Sequence, residues 1–402
     1  MEKFPERKKI IIILVLSLLI RITFILTLKN HFYFDDEQEY FNMVKNILSG
    51  KGVIVSEQWK AYRPPLYPLF LSFFYFLKFN LFGIRFLQSI ISSFTSVYIY
   101  LLGKKVFSER VGWISGLIAC VYPFFIFYTG FLLTETLFIF LVVLTIYTFI
   151  ELVEKQNLCM SIKAGLFLGI TGLCRPTIQL FFPVSIFLIL FFKDEMKIKF
   201  KKILFGSLSF FITLSPWVIR NYSIFHKIIP GTTMGGRVFW EGNNPYSEGG
   251  PCRYFPEEIE KLPEVERDIV YYKKTVEIIR KNPYNFLWLL QNKFKRFWNV
   301  VPNASGFTKP LYQVISVMSF GIILPFFVLG FILTLQFKQA LYIHSLIILF
   351  TIFHMLFLAS IRYRVPIEPF YIIFAVYGFF WLYERILCII KNYETIRNNS
   401  CI

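Results

Sequence analysis

The sequence predicts an all-α polytopic membrane protein, and three observations carry that prediction. Of 402 residues, 56% are hydrophobic and 20% aromatic, while only 17% are charged, well below the roughly one-quarter typical of soluble domains. Apolar runs of about 17 to 25 residues, the length that crosses a hydrocarbon core, recur along the chain. The basic surplus, formally +18, clusters between those runs, as the positive-inside rule and anionic headgroups favour. That clustering argues against nucleic acid as a partner and for membrane lipids.

Ten runs qualify as spans, at approximately 10–28, 84–103, 111–130, 134–152, 160–175, 177–193, 203–219, 311–336, 339–359 and 365–386. The first follows Lys8 and Lys9. It lacks a small-residue cleavage pattern and is too long for a signal-peptide core, so it reads as a retained helix. Lys8, Lys9, Lys104, Lys105, Arg110, Lys155 and the Lys193 to Lys202 cluster share one side if both termini are cytoplasmic. This orientation belongs to a multi-pass protein of the plasma membrane. The apolar stretch from Leu66 to Phe79 is short, and counting it as a span would reverse every later loop, so an interfacial or re-entrant helix is expected there. The chain then divides into a region at 1–219 with a first extracytoplasmic loop at 29–83, an extracytoplasmic loop region at 220–310, and C-terminal helices and a cytoplasmic tail at 311–402.

The two long loops carry the informative residues. In the first, Tyr40, Val44, Ile47 and Leu48 repeat at helical spacing before Gly50 and Gly52, which predicts an amphipathic helix over 36–49 lying on the membrane. Asp36 and Glu37 stand at its amino end, where the helix dipole favours ionised carboxylates. In the second, Val265, Ile269, Tyr272, Val276 and Ile279 form an apolar stripe ended by Asn282-Pro283. An aromatic, basic helix from Tyr284 to Trp298 follows and is expected to return the chain to the interface.

Several motifs in order resemble those of the GT-C membrane glycosyltransferases of the protein O-mannosyltransferase and aminoarabinose transferase type. These are Asp36-Glu37 with Tyr40, Arg63-Pro64-Pro65-Leu66-Tyr67, Leu133-Thr134-Glu135, Arg175-Pro176, Ser215 to Tyr222 with Gly235-Gly236, Gly242-Asn243-Asn244-Pro245, and Arg362-Tyr363-Arg364-Val365-Pro366. The resemblance implies a GT-C-like bundle of about ten transmembrane helices with extracytoplasmic juxtamembrane helices. It also implies a donor sugar carried on polyprenyl phosphate and an acceptor that is protein, lipid or envelope glycan. One position departs from it: aminoarabinose transferases carry a glutamate before the basic-Pro-Pro segment, whereas Tyr62 stands here. A divalent metal therefore has no support, and no cofactor is predicted. His31 and His226 are isolated, and His344 and His354 are off the i, i+4 metal pattern. The six cysteines show no metal-ligand or redox spacing.

Glycosyl transfer needs a base for the acceptor hydroxyl, positive charge for the departing phosphate, and shelter from water. Asp36 is the candidate base; the family resemblance implies it over Asp35, through the four-residue spacing to Tyr40, and Glu37 is a candidate for orienting substrate or Asp36. A plain solvated helix start is the alternative for this cluster. Glu135 lies between two apolar runs, where an ionisable residue is costly and usually functional, or caps the amino end of its span. Arg63, Arg220 and Arg364 are candidates for the phosphate, because guanidinium groups pair with its oxygens; interfacial anchoring is their bland role. Arg362 is not ranked against Arg364. Arg175 either pairs with an acid or holds a helix break. Tyr67, Asn243 and Asn244 complete the candidate substrate-binding set, although Asn243-Asn244 after Gly242 also reads as a simple turn. Trp240 is a candidate for stacking on a sugar ring. The Gly-rich stretch lacks the Lys-Ser/Thr ending of a nucleotide loop, which favours a lipid-linked donor. Two competing functions are a polyprenyl-glycan transporter, which predicts charges along a path through the bilayer, and a non-catalytic subunit of an envelope-synthesis complex.

Overall fold

The computed structural model describes residues 5–155, 157–192, 195–302 and 309–399, with side chains as far as Lys391 in the last segment. Lys193 of the expected basic cluster and the extreme ends of the chain lie outside these residues. The first half runs through α1 (Glu6–Leu26), α2 (Asp35–Leu48), α3 (Leu66–Phe76), α4 (Leu81–Val106), α5 (Glu109–Val121), α6 (Pro123–Phe127), α7 (Glu135–Lys155), α8 (Leu158–Cys174), α9 (Phe181–Phe191) and α10 (Met196–Phe225). Four helices, α11 (Gly235–Glu241), α12 (Glu257–Glu260), α13 (Glu264–Lys281) and α14 (Pro283–Trp298), form the next region. The last is α15 (Pro310–Ser316), α16 (Ile322–Leu333), α17 (Ala340–Leu356), α18 (Ile361–Arg364) and α19 (Glu368–Asn399). Among the described residues there is no β-strand, only an isolated bridge between Ser56 and Trp59.

Among the described residues the ten apolar runs are mainly helical, but they do not all have spanning length. Among the described residues six helices are long and apolar enough to cross a membrane, or seven if the bent pair formed by α5 and the Pro123–Gly130 segment counts as one. The α8, α9 and α17 segments are shorter. Proline accounts for part of the difference: Pro123 opens α6, and Pro176 stops α8 at Cys174, because proline cannot donate to the ladder and restrains the residue before it. The 11-residue α3 extends only about 16 Å, roughly half a hydrocarbon core, in keeping with an interfacial or re-entrant element.

The α5–α6 break bends the chain by 51° and frees carbonyls that need donors. Arg21, fully buried in α1, supplies them. Its Nη1 reaches Cys120 O at 3.0 Å and its Nη2 reaches Ala119 O at 3.2 Å, while Nε bonds Ser92 Oγ at 2.7 Å. Elsewhere the bundle depends on close backbone approach. A Cβ on Gly330 of α16 would lie 1.9 Å from Phe374 O of α19, and one on Gly378 would lie 2.4 Å from Phe326 O.

The bundle has two chemically distinct ends. At one, Lys9 pairs with Glu109 at 2.8 Å, Lys104 with Glu6 at 2.7 Å, Lys105 with Glu154 at 2.7 Å and Arg110 with Glu384 at 3.7 Å. These pairs join the start of α1, the α4–α5 turn, the end of α7 and the later part of α19, so the first helix begins and the last one runs out on the same side. The opposite end collects α2, α3 and α11–α14.

Two amphipathic readings need adjustment. In α2 the inner face is Glu37, Tyr40, Met43 and Val44, while Leu48 is exposed. In α13 the buried residues are Glu264, Arg267, Tyr271 and Thr275, whereas Ile269 and Val276 of the expected stripe are exposed. The polar residues win because each has a partner inside. Glu264 accepts from Lys60 N, Ala61 N and Thr233 Oγ1, Arg267 lies over the Trp59 ring, and the Tyr271 hydroxyl donates to Glu260.

Candidate active site

At the loop-rich end, six charged side chains from five parts of the chain form one connected network. Asp36 and Glu39 come from the first turn and a half of α2, one face of the helix. Arg63 comes from the segment before α3, Glu135 from the start of α7, Arg175 from the C-cap of α8, and Arg362 from α18. Arg63 donates to Asp36 Oδ1 at 2.8 Å and to Glu39 Oε2 at 2.5 Å. Arg362 donates through Nη1 to Asp36 Oδ2 at 2.7 Å and through Nε to Glu135 Oε1. Arg175 donates to Glu135 Oε1 at 2.5 Å and to Thr134 Oγ1 at 2.7 Å.

Three carboxylates thus face three guanidinium groups, but the donors are not used up. Arg63 Nη1, Arg175 Nη1 and Arg362 Nη2 have no hydrogen-bond partner among the described residues, and none of them is closed off from solvent. Exposure grades the network. The Arg362 side chain is 34% exposed and that of Asp36 25%, whereas Glu135 is 0% exposed. Arg63 is also held over the Tyr40 ring at 5.5 Å and the Tyr62 ring at 5.2 Å, a cation–π setting that fixes its plane.

Burial works against ionisation of Asp36, but the guanidinium groups of Arg63 and Arg362 override it and hold the carboxyl at about 2. The folded value is below the ordinary 3.8, so these pairs stabilise the protein above that pH, and the contribution disappears as pH falls through about 2. Arg63 moves the other way. Burial would lower it, yet its neighbours, Tyr40 and the two carboxylates among them, raise it overall.

The other residues singled out in the sequence occupy different roles. Glu37, 0% exposed, spends its carboxylate on three backbone N–H groups: Tyr33 at 2.6 Å, Phe34 at 3.0 Å and Leu132 at 2.8 Å. It ties the start of α2 to the turn before α7 and so sets the distance between Asp36 and Glu135. Glu37→Gln, with an amide that accepts through one oxygen only, is expected to cost about 1 to 3 kcal/mol in stability. Thermal unfolding in detergent checks this, and an unchanged midpoint would contradict the role.

Tyr67 is fully buried and donates to Gln88 Oε1 at 2.8 Å, with its ring edge-on to Tyr40. Arg220 lies outside the network; it donates to Val53 O at 2.9 Å and Asn221 Oδ1 at 2.8 Å and stacks over Trp217. Arg364 is fully buried and bonded to Glu368 at 2.8 Å, Phe297 O at 3.0 Å and Asn299 O at 2.6 Å, so Arg362, not Arg364, is the arginine of that motif that joins the acidic cluster. Helical positions two apart point about 200° apart, to nearly opposite sides, and only one of Arg362 and Arg364 can face Asp36. Asn243 and Asn244 form a turn on Trp240 O. Their side-chain amides bond Leu356 O and Cys252 O respectively, and the Trp240 ring is buried with its N–H on Tyr254 O; these groups face protein. The sequence reading missed Glu39 as a partner of Arg63, although its i+3 spacing from Asp36 was the available signal. Among the described residues no group of three or more His, Cys, Asp and Glu is placed to hold a metal.

Residues 62–219 match the family model described as dolichyl-phosphate-mannose-protein mannosyltransferase. No curated protein matches the chain in sequence. In fold the chain is similar to the archaeal oligosaccharyltransferase AglB from Archaeoglobus fulgidus. The structure of that protein in complex with an inhibitory peptide and a dolichol-phosphate aligns with a TM-score of 0.59 at 12% identity, over 96% of this chain and 52% of the other. The form tethered to an acceptor peptide containing the NVT sequon gives 0.60 at 12% identity, over 96% and 50%. The fold is therefore of the GT-C type. The chain spans about half the length of the oligosaccharyltransferase it matches. ArnT from Cupriavidus metallidurans bound to undecaprenyl phosphate aligns at 0.49 with 12% identity, over 92% of this chain and 59% of the other.

Proposed function

We propose that the protein is a membrane glycosyltransferase that moves one sugar from a polyprenyl-phosphate donor to an acceptor hydroxyl at the extracytoplasmic face. The observation that supports this best is the row of three arginines, each with a spare terminal nitrogen, beside an ionised aspartate at one end of a membrane bundle. Guanidinium groups so placed can take a lipid-borne phosphate without leaving the network. Arg63, Arg175 and Arg362 then stabilise the charge that develops on the departing phosphate.

Asp36 is the base in this reading. At rest its two arginines make it a weak one, because they hold its carboxyl near 2. A phosphate that draws on Arg63 and Arg362 relieves that stabilisation and raises the basicity of Asp36 where the acceptor arrives. The acceptor hydroxyl loses its proton to Asp36 as its oxygen bonds the anomeric carbon. The bond from that carbon to the phosphate oxygen breaks, and the electron pair leaves with the phosphate. A single displacement inverts the anomeric centre. Glu135, closed from solvent, orients Arg175 and Arg362. The acceptor class remains protein, lipid or envelope glycan, the location is the plasma membrane with both termini cytoplasmic, and the boundaries at 219 and 310 separate the loop region that covers the site.

The network of Asp36, Glu39, Arg63, Glu135, Arg175 and Arg362 lies at one end of the bundle instead of lining a path through it, which favours a transferase over a transporter. Titration of purified protein with a polyprenyl phosphate tests the phosphate clamp. Arg63→Ala is expected to weaken binding about tenfold or more, since a hydrogen bond between charged groups is worth roughly 1.5 to 3 kcal/mol, while Arg220→Ala leaves it near wild type. Equal binding by wild type and Arg63→Ala would remove Arg63 from the site.

A further inference from the structure

We propose that Lys293 is a positioning residue for Arg362: its ammonium group ties the 242–244 turn to the end of α17 and thereby fixes the segment from which Arg362 reaches Asp36 and Glu135. The inference rests on the reading of Arg362 as a contact of the donor phosphate.

Lys293 is 0% exposed, yet no carboxylate among the described residues pairs with it. Its Nζ donates to two neutral oxygens, Asn243 Oδ1 at 2.7 Å and Leu356 O at 3.2 Å. An uncompensated buried ammonium is costly, so its location carries information. Leu356 is the last residue of α17, where carbonyls lack helical donors and the helix dipole is negative. A cation there meets a need that an apolar side chain would leave unmet.

Asn243 completes the tie. Its Nδ2 donates to Leu356 O at 3.0 Å and to Phe239 O at 2.8 Å, so amide and ammonium converge on one carbonyl. The turn sits so close that a Cβ on Gly242 would lie 1.9 Å from Phe357 O, and the Phe239 and Phe357 rings are 5.0 Å apart. From there the chain runs four residues to α18, where Ser360 Oγ accepts from Arg362 N at 3.3 Å. His354 adds a second hold, bonded to Leu358 O at 3.1 Å and stacked on Tyr363 at 4.9 Å. The α11 turn and α14 therefore grip the only covalent link between α17 and Arg362.

Burial pushes the Lys293 ammonium down to about 7. Titratable groups on the elements packed against it include Glu241 at the end of α11, Glu248 beside Gly249, Glu277 and Arg280 on α13, Arg296 on α14, His354 on α17, and Arg362 and Arg364 on α18. None of them hydrogen bonds Nζ. Charge-assisted bonds are about twice as strong as neutral ones, so the grip loosens as pH rises through that value.

The test is the affinity of the full-length protein in detergent for undecaprenyl phosphate, from about pH 7 to about 9, a range in which a phosphate monoester is already doubly ionised because its second pKa is about 6. Wild-type binding is expected to weaken roughly three- to tenfold across the range, the equivalent of one charge-assisted bond reduced to a neutral one. Asn243→Asp supplies a counter-charge that keeps Lys293 protonated and is expected to carry tight binding to higher pH. Lys293→Met is expected to bind weakly at every pH. Wild-type affinity in Lys293→Met, or a pH dependence that Asn243→Asp leaves unmoved, would overturn the proposal. Undiminished binding by Arg362→Ala would instead sink the phosphate reading of Arg362, and with it the reason to position that residue.

Discussion

Asp36→Asn should lose sugar transfer by about 10² to 10⁴, the usual effect of removing a general base, or roughly 3 to 5 kcal/mol of barrier. The substitution keeps the size of the side chain and its place in the first turn of α2, and Glu37, which anchors that turn to Tyr33, Phe34 and Leu132, is untouched. What changes is the chemistry toward Arg63 and Arg362. One amide oxygen can still accept from one of them, but the amide nitrogen cannot accept a proton or a second guanidinium. Asp35 is exposed, so Asp35→Asn removes the same charge from the same helix start without touching the network, and its effect should be small. Single-turnover transfer with the two variants matched for folded protein separates catalysis from electrostatics at the helix end. The acid stability profile offers a second readout. The wild type should lose stability between about pH 4 and pH 2 as Asp36 is protonated out of its ion pairs, and the variant should lack that component.

Arg362→Ala should damage both transfer and the fold. The side chain bridges Asp36 and Glu135, and its removal leaves a 0% exposed glutamate with Arg175 as the remaining cation. Because Glu135 keeps Arg175 and Arg362 is partly exposed, the cost is below that of breaking an isolated buried pair, about 1 to 3 kcal/mol. Arg362→Lys keeps the charge but cannot span two carboxylates and still offer a free donor. It should recover stability better than it recovers transfer. Thermal unfolding and transfer rates on the same preparations measure the split; equal recovery of both would mean that Arg362 is structural.

The sequence made the membrane class and the positions of the ten helical runs legible, because hydropathy over a span-length window reports the solvent directly. Length was less legible, since Pro123 and Pro176 break helices that composition alone would continue. For the candidate site, the motif order pointed to Asp36, Arg63, Glu135, Arg175 and Arg362, but not to how they divide their work. Arg362 and Arg364 are indistinguishable by type and position in the sequence; helical geometry sends one to the acidic cluster and the other to Glu368. Glu37 differs from Asp36 by one position, which turns its carboxylate inward to backbone N–H groups. Lys293 had no signal at all, because a buried lysine within a basic aromatic helix looks like any surface one. In α13 the apolar stripe misled for a related reason: burial there follows hydrogen bonds and the Trp59 ring, and hydrophobic periodicity does not register such partners.

The most direct measurement of the central claim is mass spectrometry of envelope glycolipids and glycoproteins from cells carrying the wild-type gene, its deletion, or the Asp36→Asn allele expressed at equal level. The account predicts a product that differs from its precursor by one sugar, present in the wild type and absent from the deletion and the Asp36→Asn strain alike, with the precursor accumulating in both. A deletion strain with no missing single-sugar increment, or an Asp36→Asn allele that restores it in full, would contradict the account.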